Sequence, residues 1–180
     1  MLDASEYLHL AINASQNGDH HAALNYLNKA LELEPKNAAA RYFQAAEHAE
    51  LGLMERAHAG MIDALELDPG MDIARFQLGL LSLQLSKMDA ARSTFSSLRD
   101  ISKDISLREF SSAYLELLDE QTQTAIGHLA LGLSNCTNAA LKKDMEQVLA
   151  SLSETHSPIS PDAAEPSVFL GAYRNTIEIS

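Results

Sequence analysis

Tryptophan is absent, cysteine occurs once, and the 180 residues hold only five phenylalanines and five prolines. A lone Cys136 cannot close an internal disulfide, so a reducing compartment is the simplest setting, and we expect a cytoplasmic protein, with a bacterial source as a working assumption. No apolar run is long enough to span a bilayer, and Met1-Leu2-Asp3 opens without a basic-then-apolar leader, which argues against membrane insertion and classical secretion. Positive charge is also scarce. Thirteen Lys and Arg face twenty-five Asp and Glu, and the resulting net charge of −12 leaves no footprint for a phosphate backbone, so nucleic-acid binding is not expected. The acidic excess suits a protein partner that is basic or apolar, although solubility alone also accounts for it.

What the chain does have is a phrase written twice. Ala30-Leu31-Glu32-Leu33-Glu34-Pro35 returns thirty-four residues later as Ala64-Leu65-Glu66-Leu67-Asp68-Pro69. Each copy closes a stretch with a glycine in its middle (Gly18, Gly52) and an alanine five residues on (Ala23, Ala57), the layout of helix, turn, helix and proline stop. The period persists as the signal weakens. Leu78-Gly79, Ala91, Phe95 and Leu98 hold the same offsets in a third unit, and Ala113, Ala125, Leu129 and Gly132 hold them in a fourth. Paired helices are predicted at about 4–17 and 20–34, 37–51 and 54–67, 71–86 and 89–100, and 104–119 and 122–134, with a last helix over 138–152.

These features resemble tetratricopeptide repeats. The first unit supplies Tyr7, Leu10, Ala11, Ala23, Leu27, Ala30 and Pro35 at that family's positions. The second supplies Ala45, Ala57, Met61, Ala64 and Pro69 but has Arg41 and Gln44 where an aromatic and a leucine belong. The resemblance implies an all-α fold: a TPR-like α-solenoid of about four helix hairpins with a C-terminal capping helix and an extended tail. The division expected from composition is a repeat domain over 1–152, a Pro/Ser-rich linker over 153–167 and an apolar segment over 168–180.

The resemblance also implies a concave surface formed by the first helix of each pair. Its usual groove positions map here to a mostly apolar set, from which Leu8, Ile12, Tyr42, Phe76, Leu80, Leu83, Phe110 and Tyr114 are the expected contacts for a partner peptide. Within it Leu8, Tyr42, Phe76 and Phe110 recur every thirty-four residues as a ladder. A soluble protein seldom exposes a large apolar patch without a ligand, and the competing reading is that these side chains pack between helices. The groove of family members that clamp a carboxylate tail carries lysine, asparagine and arginine, whereas the corresponding residues here are Leu8, Ile12, Ala46 and Ile73. A carboxylate would meet no cation there. Chaperones of bacterial type III secretion translocators are a general likeness only, since they usually carry a helical extension before the first repeat.

Catalytic and metal readings fare poorly. His20 and His21 point to different sides of a helix start, and His48 and His58 fall on separate helices with no ligand at metal spacing. Phosphate loops, dinucleotide fingerprints and nucleophile elbows are missing, and Cys136 has no evident activating base and reads as a small filler or an exposed thiol. A non-enzymatic protein without a cofactor is therefore expected: an adaptor or chaperone for an apolar segment, a structural subunit, or an accessory regulator of a separate enzyme. The tail, rich in Val, Phe, Leu, Tyr and Ile, could dock on its own groove through Phe169, Leu170 and Tyr173, recognise another protein, or fray.

Overall fold

The computed structural model describes residues 2–154, and the 168–180 segment with its Phe169, Leu170 and Tyr173 lies outside them. Among the described residues every regular element is an α-helix: α1 Ala4–Gln16, α2 His20–Leu33, α3 Ala38–Glu50, α4 Met54–Leu67, α5 Asp72–Gln84, α6 Met88–Ile101, α7 Ile105–Leu118, α8 Thr122–Asn135 and α9 Ala139–Glu154. Each expected helix is present, with ends displaced by no more than two residues.

The hairpin turns show how the repeat is written in the backbone. Gly18, Gly52, Ser86 and Glu120, each thirty-four residues after the last, all take positive φ, at 76°, 74°, 56° and 60°. Each turn closes in the same way. The amide of the left-handed residue donates to the carbonyl three back (Ser15, Ala49, Leu83, Leu117), and the next amide donates to the carbonyl five back (Ala14, His48, Ser82, Glu116) at 2.8–2.9 Å. This is the Schellman closure, which satisfies the last carbonyls of a helix and reverses the chain. At the other end, Asp3 and Glu6 form a reciprocal capping box on α1. Asp19, Asn37 and Asp104 accept from the first-turn amides of α2, α3 and α7.

One apolar triplet recurs on every second helix. Ala23-Leu27-Ala30, Ala57-Met61-Ala64, Ala91-Phe95-Leu98 and Ala125-Leu129-Gly132 are all buried. Their spacing of four and three places them on one face, and the small residues that open all four and end three of them let the helices approach closely. A Cβ built on Gly60 would come within 2.9 Å of the Ala45 Cβ across α3 and α4, and one on Gly132 would come within 2.5 Å of the Phe110 ring across α7 and α8. The glycine at the end of the fourth triplet is therefore the socket for a ring, and that explains why alanine is lost there.

By contact the chain separates into two compact units, Met1–Lys87 and Met88–Ser180. The first contains α1 to α5, with α1 on α2, α3 on α4, and successive pairs joined through α2–α3 and α4–α5. The second contains α6 packed on α7, α7 on α8 and α8 on α9. The sequence offers one body over 1–152, whereas the division falls between the two helices of the third expected hairpin. Repeat arrays invite this, because their contacts run mostly between successive helices.

The face of α9 that bears Leu141, Met145 and Val148 is buried, and its other side, with Lys142, Lys143, Glu146 and Gln147, is exposed. At the opposite end, α1 presents Glu6, His9 and Asn13 to solvent, whereas thirty-four residues later Ala40, Phe43 and Glu47 are buried in α3.

Candidate functional site

The expected contact residues lie on the first helices: Leu8 and Ile12 on α1, Tyr42 on α3, Phe76, Leu80 and Leu83 on α5, Phe110 and Tyr114 on α7. Within the first unit Leu8, Tyr42, Phe76 and Leu80 are buried, while Ile12 and Leu83 are half-buried. In the second unit Phe110 and Tyr114 are buried. An open ladder of rings facing water is thus not what the structure holds.

For the second unit the reason is visible in the packing. Phe110 fills the space above Gly132, and the Tyr114 ring stacks on Phe95 with centroids 5.0 Å apart and planes 9° from parallel. Burial, with Asp144 adding to it, pushes the Tyr114 phenol far above its ordinary pKa, so it stays neutral. In the first unit Tyr42 meets the neighbouring Phe43 edge-on at 5.2 Å, and both rings are buried. The helix that bears them packs against both α2 and α4, so a bulky residue on α3 has helix on two sides.

Ionic and polar groups staple successive hairpins, a layer that sequence reasoning missed. His20 at the start of α2 reaches Glu47 on α3, Nδ1 to Oε2 at 2.8 Å, and Glu47 is among the most buried charged residues. Nearby, Gln44 donates its side-chain amide to Asn28 at 2.8 Å. Between α4 and α5, the His58 Nε2 lies 3.1 Å from the Ser82 hydroxyl oxygen, and Lys87 reaches Glu55 at 2.9 Å. In the second unit Arg92 on α6 pairs with Asp119 at the end of α7 at 2.7 Å, while His128 on α8 pairs with Glu109 on α7 at 2.7 Å within one hairpin. The signal that could have found the first pair is a glutamate at an otherwise apolar position of α3, because a buried carboxylate demands a partner.

These histidines do not assemble a reactive or metal-binding centre. Among the described residues no three His, Cys, Asp or Glu side chains converge on a point that could hold a metal. Ser82 and His58 have the residue types of a nucleophile and its base, but the Ser82 side chain is wholly buried and its hydroxyl donates to the Leu78 carbonyl at 2.8 Å. The hydroxyl proton is already committed and no substrate can reach it. Cys136 is buried, its thiol donates to the Asn138 carbonyl at 3.5 Å, and burial pushes its pKa up, so it is a filler and not an exposed thiol. Two surface clefts lie at the α2–α3 connection: about 460 Å³ against Glu34, Pro35, Lys36 and Asn37, and about 360 Å³ against Pro35, Arg41, Asp63, Glu66 and Leu67. They are open and of mixed charge. No described helix is long and apolar enough to cross a membrane.

Helix pairs with a 34-residue backbone period and small residues buried at fixed offsets define a known architecture. Residues 7–37 match the family model of the tetratricopeptide repeat. The fold is of the tetratricopeptide-repeat type. Among solved structures, the Cut9 and Hcn1 hetero-tetramer of the APC/C is similar with a TM-score of 0.76 and 19% identity over 86% of this chain, which spans only 31% of that one. MamA from Desulfovibrio magneticus RS-1 gives a TM-score of 0.62 and 17% identity over 84% of this chain and 92% of its own. YrrB, a TPR protein described as having an unusual peptide-binding site, gives 0.61 and 18% over 86% and 80%. No curated protein sequence matches. Likeness at these identities is a likeness of fold.

Proposed function

We propose that this chain is a non-enzymatic protein-interaction module, an adaptor or chaperone that holds an apolar segment of a partner along the inner positions of its first helices. The observation that carries the reading is the chemistry of those positions. In the first unit most of them are apolar, Leu8, Ile12, Tyr42, Ala46, Phe76, Leu80 and Leu83 among them, with Ser5, Ser15, Gln16, Glu50 and Gln84 as the polar members, on a fold used for binding protein segments. The likeness to YrrB, whose description includes a peptide-binding site, supports it at the level of fold.

Tyr42, Phe76 and Leu80 are buried as they stand, so a guest starts at the half-exposed Ile12 and Leu83 and gains the rings only by opening the packing around them. Such opening lowers apparent affinity by the fraction of molecules open, and affinities no tighter than about micromolar are expected from a site of this kind. Apolar contact without a cation selects against a free carboxylate and in favour of an apolar or basic segment.

Ile12→Asp combined with Leu83→Asp tests the reading, because both sites are partly exposed and the fold should survive. Affinity capture from the source cell with quantitative mass spectrometry should lose the partner that the unaltered chain recovers. Equal recovery from a double variant with native circular dichroism would overturn it.

A further inference from the structure

The outward side of α8 differs from that of the other second helices. Where α8 carries Leu131, the equivalent residues at steps of thirty-four are Lys29 in α2, Asp63 in α4 and Ser97 in α6. Where it carries Ser134, they are Glu32, Glu66 and Asp100. Alone among the four, α8 has no Asp, Glu, Lys or Arg. Thr124, Gly127, Ala130 and Leu131 are exposed on it, Leu131 at 50%. The polar side chains at its end turn back on the helix itself. The Ser134 hydroxyl donates to the Ala130 carbonyl and the Asn135 side-chain amide to the Leu131 carbonyl, both at 2.9 Å. Charged residues on the solvent side are what keep a surface helix hydrated, and without them α8 presents an apolar strip.

The same unit of the chain ends in a segment of matching chemistry. Residues 155–180 lie outside the described residues and include Val168-Phe169-Leu170-Gly171-Ala172-Tyr173, an apolar run without charge. Helix α9 packs on α8 after a short connection, 136–138, so it runs back along α8 and ends at Glu154, towards the start of that helix. From there the strip extends for ~21 Å, the length of a fourteen-residue helix. The intervening residues 155–167 can reach about 43 Å, twice what is needed.

We infer that the Val168–Tyr173 segment of this chain docks on the outward face of α8, with Leu131 as its principal contact and the small Gly127 and Ala130 admitting the Phe169 ring. The inner positions of the second unit do not compete for it, because Phe110 is seated over Gly132 and Tyr114 is stacked on Phe95, all buried. Ile101 and Ile105 are also exposed there, but Asp100, Lys103 and Asp104 accompany them and keep that corner hydrated. A second copy is the weaker occupant. Stable interfaces engage about 20–30 residues on each side, far more than one helix face offers. A segment on a short tether is instead present at about millimolar effective concentration, so a small contact suffices.

The sequence supplies its own probe. Arg174 is the only Lys or Arg beyond Lys143, so trypsin acting on the folded full chain reads the tail at one bond, Arg174–Asn175, followed by mass spectrometry. A docked segment predicts that this bond is cut several-fold more slowly than in a synthetic peptide of residues 168–180. Leu131→Asp, which copies what α4 carries at that position, and Phe169→Ser should each restore rapid cutting; should Leu131→Asp misfold, Leu131→Lys, the residue of α2, takes its place. Cutting of the unaltered chain as fast as the peptide, or protection that survives both Leu131 and Phe169 substitutions, would overturn the assignment. Protection that disappears on dilution would place the segment on a second copy and overturn it equally.

Discussion

The first two hairpin turns and the last two have one backbone and different residues. Gly18 and Gly52 occupy the left-handed position where glycine is at no disadvantage; Ser86 and Glu120 occupy the same position at a cost of roughly 1–2 kcal/mol each. The hydrogen bonds that close the four turns are nevertheless the same, down to the carbonyls that accept them. A repeat can therefore lose its sequence signature and keep its geometry, provided the buried triplets on the second helices continue to hold the helices in place. The later repeats carry strain that the earlier ones lack, and strain of this sort can be relieved or imposed by single substitutions.

The largest effect should come from the fourth triplet, where the later half departs furthest from the earlier one. Gly132→Ala puts a methyl group 2.5 Å from the buried Phe110 ring and should destabilise by about 2 kcal/mol in urea unfolding. Gly127→Ala, five residues away on the same helix with nothing within 4 Å of the added carbon, should instead stabilise by about 0.5–1 kcal/mol. If both alanines act alike, Gly132 is not a socket for the ring.

Exchanging the turn residues comes next. Gly18→Ala and Gly52→Ala should each cost about 1–2 kcal/mol although open space surrounds both, because the penalty is conformational. Ser86→Gly and Glu120→Gly should each gain about 1 kcal/mol, read as a shift in the denaturation midpoint with unchanged slope. Gains at both later turns with losses at both earlier ones would establish the equivalence of the four; a null result at Ser86 would show that its Cβ is accommodated without strain.

The smallest effect belongs to the helix starts. Asn37 accepts from the Ala40 amide, but Met71, thirty-four residues on, has no side chain to do so for α5. Asn37→Ala should cost about 1 kcal/mol and Met71→Asn should recover somewhat less, because Met71 is half-buried and loses apolar contact.

Much of the fold was legible because it is local and repeated. The paired phrases ending at Pro35 and Pro69, with Gly18 and Gly52 between helices, mark boundaries that depend on chain stiffness and left-handed turns, and these act within a few residues. Offsets of thirty-four then carried the reading into the third and fourth repeats. The contact residues were legible only as chemistry. That Leu8, Tyr42, Phe76 and Phe110 are apolar is in the sequence; that they are buried, with Phe110 seated on Gly132 and Tyr114 stacked on Phe95, depends on what a neighbouring helix presents. The pairing of His20 with Glu47 was hidden for the same reason, since twenty-seven residues separate them and no local pattern joins them.

By itself, then, the amino-acid order determined the helices, their turns, the period and the apolar character of the inner positions, because propensity, capping and backbone sterics act over one or two turns of chain. Only the tertiary structure decided which apolar side chains are enclosed, which polar groups bridge one hairpin to the next, and where the chain divides at Lys87. Burial and pairing are properties of two surfaces meeting, and one strip of sequence describes one surface at a time.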